Sequence, residues 1–142
     1  MAFTGPLEDR IAIQELVAEY GDAVSRRDKA GFAGTWAEDG VWLLPWLEPV
    51  CGRNAIADVW EEQIAHYPFH NFRGYLGCLE IRDDRAAGRL WTSELVQNIH
   101  GKSGVVTGRY DDEFVKRDGR WYFSKKRFTA LHGMDAIVAA GP

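Results

Sequence analysis

Cysteine is scarce in this chain. Its two copies, Cys51 and Cys78, show no CxxC spacing, so no disulfide framework and no cysteine-based zinc site are expected. Four scattered histidines with no cysteine cluster beside them supply no expected metal site. No stretch approaches the ~20 apolar residues that a membrane-spanning helix needs, and no GxGxxG follows a strand-like run to cradle a dinucleotide. Basic charge is also lacking: 17 Lys and Arg against 21 Asp and Glu leave a net charge of −4, without the clustered basic face that a phosphate backbone requires. The opening MAFTGP has no charged segment followed by an apolar one. These absences predict a cytoplasmic protein with reduced thiols, no cofactor, no metal, and neither nucleic acid nor membrane as a partner.

Aromatic side chains are abundant, with six Trp, five Tyr and seven Phe in 142 residues. Such side chains often line pockets for flat ligands, so a small hydrophobic, aromatic molecule is the expected partner. The length suits one domain spanning 1–142. Ile13, Leu16, Val17, Tyr20 and Val24 recur at helical spacing after Pro6 and predict a first helix to about Arg27. Asp28 can cap a short second helix carrying Phe32 and Trp36, which Asp39-Gly40 would end. Val41 to Trp46 reads as a strand that Pro45 ends or places at an edge. Ile56, Val59, Trp60 and Ile64 mark a third helix after Gly52.

Beyond residue 68 the period becomes that of strands. Runs near 69–81, 86–99, 104–116 and 120–131 are separated by the polar turns Arg82-Asp83-Asp84-Arg85, Gly101-Lys102-Ser103-Gly104 and Asp118-Gly119, which predicts an antiparallel meander. Three helices followed by a long meander give an α+β architecture, with the sheet wrapped around the helices and a pocket between the first helix and the sheet. The small apolar tail from Gly133 onward could be loose or could fold over the pocket mouth.

This order of elements, with AIQELVAEYGDAVSRRDKAGFAGTWAEDGVW near the start and GRYDDEFVKRDGRWYFSKKR near the end, resembles the SnoaL-like branch of the nuclear-transport-factor-2-like superfamily over about residues 8–130. The resemblance implies a cone-shaped α+β barrel with three N-terminal helices on a strongly curved, mainly antiparallel sheet. That superfamily includes scytalone dehydratase, the bile-acid 7α-dehydratases and the hexachlorocyclohexane dehydrochlorinase, which eliminate water or HCl with an Asp–His pair. At the two corresponding positions this chain carries Ser25 and Phe72. His70, two residues before Phe72 on the same strand face, is the substitute base. The resemblance further implies Tyr20 as a hydroxyl donor, Glu94 as an inward carboxylate, Arg127 as a pocket arginine, and Tyr110 and Trp42 as aromatic wall.

The residues themselves support part of this list. Glu94 alternates with Leu90, Thr92, Val96 and Asn98 on a largely apolar face, and an unpaired buried carboxylate costs on the order of several kcal/mol. Such a group needs either a partner or a chemical role. An ion pair with Arg127 or Lys125 is one reading, proton transfer the other. The catalytic candidates are therefore Tyr20, His70, Glu94 and Arg127, and the substrate-binding candidates Trp36, Trp42, Phe72, Asn98 and Tyr110. Asp112 is expected to pair with a neighbouring Arg or Lys, and His66 and His100 to be solvated. The expected activity is a cofactor-independent lyase acting on a hydroxylated aromatic or polycyclic molecule. A non-catalytic ligand-binding or assembly module, like a dioxygenase β subunit, is the alternative, as is an isomerase or polyketide cyclase. The exposed sheet face predicts a homodimer or homotrimer.

Overall fold

The computed structural model describes residues 2–134. Helix α1 (Leu7–Arg26) buries Ile13, Leu16, Val17, Tyr20, Ala23 and Val24 along one stripe, as its 3.6-residue period requires. It ends where Arg27 turns left-handed at φ 58° and donates its N–H back to Val24, a common helix terminator. The Asp28 side chain then accepts from the Gly31 N–H and starts α2 (Lys29–Gly34). After α3 (Arg53–Ile64) the chain enters the long meander β4 (Phe69–Arg82), β5 (Arg85–Gln97), β6 (Ser103–Arg117) and β7 (Arg120–His132). The expected helices and meander strands are all present, within a few residues of their predicted limits.

Three further strands complete the sheet: β1 (Phe3–Thr4), β2 (Trp36–Leu43) and β3 (Val50–Cys51). The order is β1-β4-β5-β6-β7-β2-β3. The meander pairs are antiparallel, whereas β1 joins β4 and β2 joins β7 in parallel. The sheet curls without closing, so the cone is an open one with short edge strands. Trp36, expected on the second helix, instead opens β2. That strand runs from Trp36 to Leu43 rather than from Val41 to Trp46, because pairing with β7 begins at Trp36 and Pro45 lies past its end.

Two irregularities decide which side chains face the helices. In β4, Leu79 and Ile81 point inward, and the pairing with β5 shifts by one residue between Leu76 and Cys78. An extra residue in a ladder reverses the side-chain parity beyond it. Phe72 and His70 thereby face the helices. Gly77 sits in this step, and a Cβ there would lie 2.8 Å from Trp91 Nε1, so the close approach of the strands needs glycine. In β7 a second step between the Glu113 and Phe114 pairings turns the inward series Trp121, Phe123 into Lys126, Phe128.

Candidate functional site

Between α1, α3 and the sheet lies a cavity of about 600 Å³. Val24, Trp42, Trp60, Phe72, Val106 and Phe128 supply apolar wall. Exposed Trp46 and His66 belong to its rim, and Met134 also lines it; the rest of the tail, 135–142, lies outside the described residues. His66 is thus both solvent-exposed, as expected, and part of the cavity.

The polar groups gather at two stations. At the first, His70 Nε2 lies 2.7 Å from Glu94 Oε1. In the β4–β5 ladder Phe72 faces Glu94 and His70 faces Val96, so His70 and Glu94 are diagonal neighbours on one face, within reach for long side chains. Both are largely shielded, with side chains 13% and 16% exposed. An ionised carboxylate can only accept a hydrogen bond, which puts the imidazole proton on Nε2. Nδ1 is buried and has no hydrogen-bond partner among the described residues.

At the second station Trp42 Nε1 donates to the Tyr110 hydroxyl oxygen at 3.2 Å, and Tyr20 lines the cavity with Tyr110. Burial first, and the negative charge of Glu94 with it, pushes the pKa values of both phenols upward. They are held as hydrogen-bond donors rather than as phenolates. Beneath them the Lys126 ammonium lies 4.6 Å from the Tyr20 ring centre and 4.1 Å from that of Tyr110, a cation–π arrangement. Its charge is balanced by Asp112, whose oxygens are 3.1 and 3.0 Å away.

The expected set is therefore only partly assembled. Tyr20, Trp42, His70, Phe72, Glu94 and Tyr110 share the cavity. Arg127 does not: the β7 step places it on the outer sheet face beside Lys125, Asp111 and Glu113, and the inward cation is its neighbour Lys126. Glu94 accordingly pairs with His70 rather than with Arg127 or Lys125; Lys125 lies 3.7 Å from Glu113. Trp36 is 0% exposed and packs against Phe32, Trp42 and Phe123 behind the wall. Asn98 lies past the end of β5, where its side-chain oxygen accepts from the N–H groups of His100 and Lys102 and shapes the β5–β6 turn. Asp112 has the basic partner expected of it. Lys126 is the group that sequence reasoning missed, since the alternation of β7 read without its extra residue turns it outward. Gln63 and Tyr67, on and just after α3, also line the cavity unforeseen. Among the described residues no group of three or more His, Cys, Asp or Glu is placed to hold a metal ion, and no helix is long and apolar enough to cross a membrane.

A family model for the SnoaL-like domain matches residues 5–127. The chain belongs to the SnoaL-like family. It is 27% identical over 137 residues to the gamma-hexachlorocyclohexane dehydrochlorinase of Sphingobium indicum, covering 90% of this chain and 87% of that one. The crystal structure of LinA superposes with a TM-score of 0.82 at 25% identity, covering 89% of this chain and 88% of the other. A scytalone dehydratase-like protein of Novosphingobium aromaticivorans gives a TM-score of 0.81 at 19% identity, covering 89% and 86%; that likeness is one of fold. Together the SnoaL-like family and its dehydrochlorinase relatives support a lyase-type activity.

Proposed function

We propose that this SnoaL-like chain is a cofactor-independent lyase that eliminates water, or a one-carbon fragment, from a hydroxylated aromatic or polycyclic molecule. The observation that carries this reading is the His70–Glu94 pair at 2.7 Å inside a mainly aromatic cavity. It offers the elements of an oriented general base, carboxylate and imidazole, on two strands rather than at Ser25 and Phe72. The His70–Glu94 pair takes a proton from the substrate, and the resulting imidazolium is stabilised by the carboxylate. Electrons released by that deprotonation form the new double bond as the C–O bond breaks. The Tyr20–Tyr110 station, kept protonated by burial, gives a proton to the departing hydroxyl, which leaves as water. The proton gained by His70 and the one lost by the phenol then balance, and the site resets.

Phenolic substrates fit this arrangement because a ring oxygen can act as the electron sink, so positioning and deprotonation suffice. The experiment is a screen of hydroxylated aromatics for an absorbance change on elimination, followed by His70→Ala. Loss of turnover in that variant supports the proposal, and full retention overturns these residue roles. Replacement of both usual dyad positions by Ser25 and Phe72 favours a second reading, a ligand-binding module. Ligands that bind without any elimination, and bind equally well to His70→Ala and Glu94→Gln, would support it.

A further inference from the structure

The charges around the cavity set which ligands it can accept. Among the described residues that line it, Glu94 is the only carboxylate, and neither Lys nor Arg accompanies it. The nearest buried cation, Lys126, is fully enclosed, screened by the rings of Tyr20 and Tyr110 and neutralised by Asp112. Arg127 and Lys125 lie on the far side of the sheet. His70 is committed to Glu94 through Nε2. A ligand entering this space therefore meets a carboxylate with no Lys or Arg beside it in the lining, in surroundings that are mainly aromatic and aliphatic, where screening by water is weak.

We infer that the cavity selects uncharged aromatic ligands and rejects aromatic carboxylates, with Glu94 as the residue that determines this specificity. The inference rests on the lyase reading in taking this cavity as the substrate site, and adds to it the charge of the substrate. The field of Glu94 already extends to the other station, since it contributes to the upward shift of both tyrosine hydroxyls. A carboxylate lodged between the two stations meets the same field. A neutral hydroxyl carries no charge for that field to repel. Glu94 thus acts twice, orienting the imidazole and excluding anions.

The test is calorimetric titration of the whole chain at pH 7 with 2-naphthol, which is neutral there, and with 2-naphthoate, which has the same rings and is ionised. The expected result is naphthol binding tighter by about 10-fold or more, the scale of a like-charge contact that is only partly screened. In Glu94→Gln the naphthoate should gain about 10-fold, while naphthol changes by less than about 3-fold. Retained naphthol binding also shows that the variant cavity is intact. Should Glu94→Gln fail to fold, a cationic naphthylmethylammonium added to the wild-type series provides a second reading, with the anion expected to bind weakest of the three. Naphthoate binding as tightly as naphthol, or a preference that survives Glu94→Gln, overturns the inference and leaves the lyase reading standing. Failure of naphthol and other neutral aromatics of that size to bind at all removes both.

Discussion

Ser25 Oγ accepts the backbone N–H of Phe72 at 3.0 Å. The two positions where the SnoaL-like resemblance would place an Asp–His pair are thus neighbours in this chain, joined by a structural bond. Ser25 Oγ also lies 3.3 Å from Asn71 Nδ2, and α1 approaches β4 closely at Gly21, where a Cβ would sit 3.0 Å from the Phe72 ring. Both positions are part of the helix–sheet contact, and the proposed lyase reading puts the base one pleat away, at His70.

Phe72→Ala should therefore cost stability, by about 3–5 kcal/mol, because the buried ring also packs on Tyr20 at 5.3 Å. Denaturant unfolding monitored by circular dichroism measures this. A loss below about 1 kcal/mol would mean that the site collapses around the deletion.

Glu94→Gln should keep the fold and cut turnover by about 100-fold or more, the scale for loss of a positioned acid or base. Gln can still accept a hydrogen bond from His70 but cannot stabilise an imidazolium by charge. Steady-state kinetics on the substrate found by screening would show the loss in kcat, with KM for a neutral substrate little changed. A variant with unimpaired kcat would remove Glu94 from the chemistry.

Lys126 and Asp112 are each 0% exposed at the side chain, and that predicts opposite outcomes for single and double replacement. Lys126→Met alone leaves a buried carboxylate unpaired and should destabilise the chain by about 3–5 kcal/mol. Lys126→Met with Asp112→Leu removes both desolvated charges and should be neutral or stabilising by about 1–4 kcal/mol. Equal losses in the single and double variants, read from urea midpoints, would contradict this.

The same pair predicts a pH dependence. Burial raises the Asp112 carboxyl from 3.8 to about 6, because lost hydration outweighs the pull of Lys126, and it lowers the Lys126 ammonium for the same reason. The unfolded chain releases the Asp112 proton near its ordinary value, whereas the folded chain holds it until about 6. Between those values the folded state binds more protons, so this group makes stability fall as pH rises, with no further change just above the upper value. Urea unfolding across this range should show the wild type losing stability relative to the double variant as pH rises, and the difference then levelling off. A difference that grows with pH would reverse the sign.

The sequence by itself determined the helices and the meander, since their signals are local. Ile13, Leu16, Val17, Tyr20 and Val24 can share a face only on a helix, and the Asp118-Gly119 turn suits a hairpin through its left-handed backbone, φ 51° and 78°. Alternation along β5 was enough to turn Glu94 inward, because that strand keeps one parity throughout. Only the tertiary structure decided what depends on partners distant in sequence. Trp36 has the ring of a helix-face residue but takes extended geometry because β7 offers it a parallel neighbour. Arg127 and Lys126 exchange faces at the extra residue in β7, and such a bulge depends on how the adjoining strand fits, which the residues of one strand do not record. The contact of His70 with Glu94 likewise needs the β4–β5 register, set jointly by the turn at Asp83 and the step at Gly77. Local periodicity encodes which way a side chain points within an unbroken element; the packing of one strand on another decides where that element is broken and so which charges meet.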